Sequence, residues 1–348
     1  MFSLGCTAPK SVVSVSTEWS QSRAATTATT ESSFLMLGDI MLTKKAAKKV
    51  DTMGEHYPFA LVKKPFAKYD RIFGNLEVGI TTETIPWVKK RHTFRVHPSR
   101  AKALKHLNLD VVSLANNHLL DYGPTSMRQT ISWLKKHKIA FTGAGENRRQ
   151  ARTPAVIDLK GTKVVILAYN ERPPKKFFAK YRRFGTSRSY EPWILKDIKK
   201  HKKKGNLVFI SMHWGQEHTD LPRGYQVKRC RKLLRAGADA IIGHHPHRPQ
   251  SIEIYQGKPI IYSLGNFISG FDNPLYIDNI ATALYYKGTT FQRMEVLFIT
   301  GKMGQVGYRP AVVTDPKTVR ENFAHLKKIS AKFNPKMRLK GHTVVITP

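Results

Sequence analysis

Short apolar runs alternate with charged, helix-like segments from residue 34 onward, and this alternation limits the folds open to the chain. It is typical of an α/β layered domain, in which helices cover the faces of a sheet. The predicted strands cover residues 34–37, 71–75, 111–114, 164–169, 207–212, 240–242 and 260–263. The predicted helices cover residues 98–107, 125–137, 195–203 and 225–236. Three later runs, 281–286, 293–299 and 306–313, are predicted to be antiparallel strands that close the sheet.

The charge of the chain is strongly unbalanced. Its 348 residues carry a formal net charge of +35, while 41% hydrophobic residues are enough to form a core. Such a surface attracts polyanions, whether nucleic acid, anionic lipid, lipopolysaccharide or a carboxylate polymer. The surplus is concentrated at 172–204 and 317–340, where aromatic residues are interleaved with the basic ones. Stacking on a single strand is one interpretation, but a solvated face anchored by its rings is favoured.

The ends of the chain differ in composition from its centre. Residues 1–33 are predicted to be a flexible Ser/Thr-rich tether, 34–313 the folded domain, and 314–348 a basic C-terminal extension. The stretch ending at Cys6 resembles a lipoprotein-processing box, although no basic and apolar leader precedes it. Two interpretations stay open: Cys6 is lipidated and the domain lies at the cell envelope, on the extracytoplasmic face of the membrane, or Cys6 is an ordinary thiol and the protein is cytoplasmic. No apolar run approaches the ~20 residues of a spanning helix.

Polar clusters follow almost every predicted strand. They are Gly38-Asp39, Gly74-Asn75-Leu76-Glu77, Asn116-Asn117-His118, His213-Trp214-Gly215-Gln216-Glu217, Gly243-His244-His245-Pro246-His247 and Gly265-Asn266. In an α/β sheet these positions lie at the carboxyl edge of the strands, where ligands bind. Oxygen and imidazole ligands without thiolate suit Mn, Zn, Fe or Mg, so we expect one or two divalent metal ions per chain.

Each cluster taken singly also has a structural interpretation. Asp39 is a candidate helix cap, the Asn116-Asn117 pair a turn, and His213 a hydrogen-bonded core histidine. The convergence of all of them favours a metal site over these separate explanations. His245-Pro246-His247 is the most specific piece, because proline stiffens the turn between two imidazoles.

Six ordered motifs resemble those of the CapA family of poly-γ-glutamate capsule biosynthesis proteins. They are LGDIML, GNLE, SLANNHLLDYG, HWGQE, GADAIIGHHPH and YSLGNF, and they cover roughly residues 34–270. The resemblance implies the calcineurin-like metallophosphoesterase fold, a four-layer α/β/β/α sandwich with a dinuclear metal site at the strand ends. It also implies assembly, export or anchoring of poly-γ-glutamate at the cell surface.

The resemblance assigns roles to individual residues. The implied metal ligands are Asp39, Asn117, His213, His245 and His247. Two positions depart from the pattern of the fold: Met41 replaces a histidine, and Asn75 replaces the bridging aspartate. We expect Glu77, two residues further on, to supply the missing negative charge and to act as a ligand. His244 is omitted, because His245 and His247 alone keep the H-x-H spacing.

These roles predict a metal-dependent hydrolase with phosphoesterase-type chemistry. His118 is the expected acid that protonates the leaving group, and Glu217 is expected to orient His118 or contact substrate. The predicted substrate-binding residues are Asn75, Asn116 and Asn266.

Two other functions stay open on the sequence. The first is a non-catalytic subunit that binds a polyanion, with poly-γ-glutamate as the suspected polymer and membrane-bound capsule synthase subunits as partners. The second is a nuclease or nucleic-acid binder, which the charge suggests, although no helix-turn-helix, zinc-finger or RRM motif supports it.

Overall fold

Strands and helices alternate along the chain, as the apolar pattern predicts. The computed structural model describes residues 30–172, 174–203, 205–272 and 277–348, and Cys6 with most of the predicted tether lies outside them. The strands are β1 (Glu31–Met41), β2 (Arg71–Leu76), β3 (Gly79–Ile80), β4 (Arg95–Val96), β5 (Val111–Ser113), β6 (Ala140–Thr142), β7 (Ala144–Gly145), β8 (Ala155–Leu159), β9 (Thr162–Asn170), β10 (Gly185–Thr186), β11 (Asn206–His213), β12 (Ala240–His244), β13 (Ile252–Tyr255), β14 (Lys258–Ile261), β15 (Asn266–Ser269), β16 (Asn279–Lys287), β17 (Thr290–Ile299), β18 (Lys336–Lys340) and β19 (Thr343–Thr347). The α-helices are α1 (Lys44–Met53), α2 (Ala60–Phe66), α3 (Pro98–Ala101), α4 (Gly123–Lys136), α5 (Arg148–Ala151), α6 (Glu191–His201), α7 (Gly224–Arg235) and α8 (Pro316–Ser330).

Two sheets form the centre of the fold. The first has the strand order β18-β19-β17-β16-β1-β2-β5-β6, with β15 also paired to β1, and the second has the order β13-β14-β12-β11-β9-β8. Strand β1 is parallel to β2 and β15, and β11 is parallel to β9 and β12. The carboxyl ends of these parallel strands therefore lie together at one edge of each sheet.

The side chains of β1 alternate between two hydrophobic clusters, because this strand is covered on both faces. Phe34 and Met36 pack between the two sheets, whereas Leu35 and Leu37 pack against the helices outside the first sheet. Apolar residues of α1, α2 and α4 complete that outer cluster, and α6 and α7 cover the outside of the second sheet. The layers are therefore helix, sheet, sheet and helix, which confirms the predicted four-layer α/β/β/α sandwich. Among the described residues, no helix is long and apolar enough to cross a bilayer.

The two ends of the described chain extend the first sheet. Strand β1 begins at Glu31, so residues 31–33, which were assigned to the tether, pair with β16. Strand β19 pairs with β17, β18 pairs with β19, and α8 packs its apolar face between the sheets. The basic C-terminal segment is thus built into the core of the domain.

One predicted strand is wrong. Residues 306–313 form a short turn and a single isolated bridge at Val312, and β19 takes the place beside β17. Gly307 and Tyr308 both have a φ of 62°, which is incompatible with an extended strand. Pro310, in addition, has no N–H to donate to a ladder.

Gly243 shows how tightly the strand ends pack. A Cβ at this position would collide with the carbonyl oxygen of Tyr262. Because backbone atoms cannot turn aside, we expect Gly243→Ala to lower the free energy of unfolding by about 1–3 kcal/mol, measured by urea denaturation. Gly224→Ala is the matched control, since a Cβ there meets nothing within 4 Å. Equal losses for both variants would contradict the packing argument.

Candidate metal centre

The register of the strands brings the predicted ligands of both sheets to one edge. Asp39 lies beside Asn75 of β2 and Asn266 of β15, and His213 of β11 lies beside His244 of β12. The two sheets meet there, since Asn75 Nδ2 is 3.3 Å from His213 Nδ1. The structure therefore places the strand-end clusters of both sheets together.

At this edge, three groups of side chains hold ligand atoms within 4.8 Å of one another, close enough to surround one ion each. The groups are Glu77, His213 and His245; Asp39, Glu77 and His247; and Glu217, His245 and His247. The first two groups share Glu77. The third group shares His245 with the first and His247 with the second, so the three groups overlap in one cluster of donor atoms.

The Glu77 carboxylate is buried, and neither oxygen has a hydrogen-bond partner among the described residues. Its Oε1 lies 3.5 Å from His213 Nε2 and 3.9 Å from His118 Nε2. Burial and the charge of Asp39 raise the pKa of Glu77 well above its ordinary value. A buried carboxylate without a partner is costly, so these two oxygens fit a bound cation.

Asp39 contacts the three histidines of the segment His244-His245-Pro246-His247. Its Oδ1 lies 3.3 Å from His244 Nδ1, and its Oδ2 lies 3.4 Å from His247 Nδ1. Its Oδ2 also accepts the backbone N–H of His245 at 3.2 Å. Burial alone would raise the pKa of Asp39, but the contacts with His244 and His247 hold it well below its ordinary value. Burial opposes protonation of His247 too, and the Asp39 contact nevertheless raises the pKa of that imidazole.

His213 and His245, unlike His247, are held in the neutral form, which is the form of imidazole that binds metals. Burial lowers the pKa of His213 and His245 well below the ordinary value, so both rings are neutral. Asn117 Oδ1 lies 2.7 Å from His213 Nε2. His245 and His247 have φ angles of 98° and 58°, the left-handed geometry that clusters at functional sites. Neutral imidazoles, carboxylates and the unpartnered Glu77 oxygens together fit a divalent metal ion.

His118, Asp121 and Lys90 form a hydrogen-bonded chain beside the cluster. His118 Nδ1 lies 2.6 Å from Asp121 Oδ2, and Lys90 Nζ donates to Asp121 Oδ1 at 2.7 Å. The ring of Phe94 stacks on His118 with centroids 4.0 Å apart, and burial lowers the pKa of His118 to about 4. Asp121 fixes the proton on Nδ1, which leaves Nε2, on the side of Glu77, to exchange a proton with a bound substrate.

The three residues assigned to substrate binding lie beneath the cluster. Asn75 donates to Asp39 Oδ1 at 2.8 Å, and Asn266 Oδ1 lies 2.9 Å from His247 Nδ1. Asn116 Oδ1 accepts two backbone N–H groups of the following turn, at 3.1 and 3.0 Å. All three side chains are buried and hold other site residues in place, and their role in substrate binding stays a prediction.

Glu217 and Met41 are the two remaining positions to which the sequence drew attention. Glu217 is exposed and its Oε1 lies 3.9 Å from His245 Nε2, at the outer side of the cluster. The residue that orients His118 is Asp121, which the sequence analysis missed together with Lys90 and His244. Met41 is buried in the hydrophobic cluster between the first sheet and its helices.

The sandwich of two sheets, with carboxylate and imidazole groups at the strand ends, places the chain in the class of metallophosphoesterase-type folds. A crystal structure of a hypothetical protein from Thermus thermophilus matches with a TM-score of 0.50 at 12% identity. The match covers 77% of this chain and 99% of that one. At this identity it shows the fold alone.

The chain belongs to the bacterial capsule synthesis protein family PGA_cap, whose profile matches residues 33–271. The capsule biosynthesis protein CapA of Bacillus anthracis is 33% identical over 241 residues, which cover 67% of this chain and 58% of that protein. The PGA biosynthesis protein CapA of Bacillus subtilis (strain 168) is 32% identical over 234 residues, 67% of this chain and 62% of that protein. The chain thus matches about three fifths of the length of these curated relatives, and the resemblance to the CapA family is confirmed.

Proposed function

We propose that the protein is a metal-dependent hydrolase of capsule polymer biosynthesis. The observation that carries the proposal is the Glu77 carboxylate, which is buried without a partner and belongs to two candidate ion positions. Buried polar groups in folded proteins almost always have hydrogen-bond partners, and a bound ion is one explanation for an unpaired one. The His118–Asp121 pair lies next to this carboxylate, so a proton donor and a cation site are adjacent.

The residues that would hold the ions are Asp39, Glu77, Asn117, His213, His245 and His247. Bound ions of this kind lower the pKa of a water molecule and polarise a phosphoryl or carbonyl oxygen. Because Asp121 holds one proton on Nδ1, His118 must take up a second proton from solvent on Nε2, and it then delivers that proton to the leaving group. Lys90 balances the buried Asp121 charge, and the stacked ring of Phe94 covers one face of the imidazole.

The substrate class follows from the family and the charge. Two relatives are named for capsule or PGA biosynthesis, and the net charge of +35 favours a polyanion. We therefore propose poly-γ-glutamate, or an activated form of it, as the substrate, and membrane-bound synthase subunits as partners.

A second candidate function is a non-catalytic subunit that binds the polymer. Met41 packs into the core, and Asn75 offers a neutral amide where the fold ordinarily has a carboxylate. Both changes remove a ligand from the same ion position, which favours a weakened or single-ion site.

Elemental analysis of the purified protein separates these two functions. A hydrolase should contain one or two divalent ions per chain and cleave an activated phosphodiester when supplied with Mn²⁺ or Zn²⁺. A chelator should reduce turnover to the background rate, and added metal should restore it. Protein that binds no ion and hydrolyses no diester or polymer would support the non-catalytic subunit instead.

A further inference from the structure

Two basic depressions lie on either side of the His118–Asp121 pair and share the residue Thr93. The first is a cavity of about 430 Å³ at the start of α1, and the second is an open groove of about 590 Å³. The basic residues of the cavity are Lys44, Lys48, Arg95 and Arg100, and those of the groove are Lys89, Lys90 and Arg91. We call these seven residues the basic track.

Both depressions have a lining residue in contact with His118. Phe94, whose ring stacks on His118, lines the cavity, and Tyr122, the residue after Asp121, lies beside it. On the groove side, Lys90 Nζ lies 3.3 Å from His118 Nδ1. A linear ligand that occupied both depressions would therefore cross the site at His118.

Most of the positive charge in the track is not neutralised by the protein. Among the described residues, Asp51 is the single carboxylate that lines either depression, and it is paired with Arg100 at 2.6 Å. Lys90 is paired with Asp121. The described part of the chain places no carboxylate within ion-pair distance of Lys44, Lys48, Lys89, Arg91 or Arg95.

The wall of the cavity also contains an unsatisfied polar group. Thr43 is 1% exposed, and its hydroxyl oxygen has no hydrogen-bond partner among the described residues. Thr43 precedes α1, whose first N–H groups lack intrahelical acceptors and favour an anion. The cavity therefore combines helix-end donors with side-chain cations.

We propose that the basic track binds a linear polycarboxylate, with successive carboxylates paired to lysine and arginine residues on both sides of His118. A chain with a charge on every residue fits a row of separated cations better than a single phosphate does, since one anion would leave most of the row unpaired. The nature of the polymer rests on the proposed function, but the track itself is tested by binding without any catalytic step.

The test compares two charge-reversal pairs in the full-length protein. Lys48→Glu with Lys89→Glu alters the track on both sides of His118. Lys199→Glu with Lys200→Glu changes the net charge equally at the exposed end of α6, near the opposite edge of the second sheet. Binding of fluorescein-labelled poly-γ-glutamate is measured by fluorescence anisotropy at one fixed ionic strength. We expect about tenfold weaker binding for the track pair and less than about twofold for the α6 pair.

Each other outcome overturns the proposal in a recognisable way. Equal weakening by both pairs would show that net charge alone attracts the polymer. Tighter binding of a single-stranded oligonucleotide of equal charge would assign the track to nucleic acid. Absence of polymer binding by the wild-type protein would remove the polycarboxylate as ligand, while metal content and diester hydrolysis would still report on the hydrolase separately.

Discussion

Glu77→Gln should make the metal-free protein more stable and at the same time weaken metal binding by about a hundredfold or more. In the metal-free protein the Glu77 carboxylate is buried without a partner and lies near the Asp39 charge. Burial and the Asp39 charge raise the pKa of Glu77, so this ionisable group costs stability in the folded state that neutral glutamine avoids, and we expect a gain of about 1–3 kcal/mol in the free energy of unfolding. The loss in affinity follows because mutating even a residue that only hydrogen-bonds to a metal ligand lowers metal affinity by about 10–100-fold.

Thermal unfolding with and without Mn²⁺ measures both effects. The wild-type protein should gain stability on metal addition, because an ion that binds the folded state shifts the unfolding equilibrium. The variant should start from a higher melting temperature and gain little. Glu321→Gln is the matched control, since that carboxylate is exposed on α8 and belongs to none of the candidate ligand groups, so it should change either quantity only slightly. An equal gain on metal addition in Glu77→Gln and wild type would exclude Glu77 as a ligand.

The site was predictable to the extent that it lies at strand ends. The polar clusters that follow the apolar runs specify which residues reach the common edge, and the register of β1, β2 and β15 then places Asp39, Asn75 and Asn266 side by side. Glu77 was expected to act as a ligand from charge balance, because Asn75 cannot supply the missing carboxylate, and it belongs to two of the candidate ligand groups.

Residues that act through contacts between distant segments were not predictable in the same way. Lys90 lies in the connection between β3 and β4, and its contact with Asp121 depends on how that connection crosses the site. Asp121 had a local signal, the i+3 spacing from His118, which was not used. His244 was set aside on spacing alone, yet β12 brings its ring to within 3.3 Å of Asp39.

The order of the strands in the first sheet also depends on contacts between distant segments, which the sequence pattern does not specify. Residues 306–313 have the apolar content of a strand, but two positive φ angles and a proline limit its pairing with β17 to a single bridge at Val312. The basic segment at the C-terminus supplies β19 instead, because its alternating residues bury Val344 and Ile346 against β17. Local composition identified candidate strands, and only tertiary packing decides which of them joins the sheet.

His118→Asn should lower the hydrolytic turnover number by about 10²–10⁴-fold, the usual contribution of a positioned proton donor. The change removes the Nε2 atom that lies 3.9 Å from Glu77 Oε1. Asp121→Asn should cause a smaller loss, because the imidazole stays in place but its proton on Nδ1 is no longer held. The double variant should be no worse than His118→Asn alone, since Asp121 acts on the reaction only through the His118 imidazole.

The control for this prediction is His342→Asn, which changes an exposed histidine in the turn between β18 and β19. Turnover of an activated phosphodiester and metal content are measured on the same preparations. Because His118 contacts the cluster without belonging to any of its three ligand groups, the metal content of His118→Asn should remain close to that of the wild type. Loss of the ion together with activity would identify His118 as a ligand, and unchanged turnover would remove it from the chemistry.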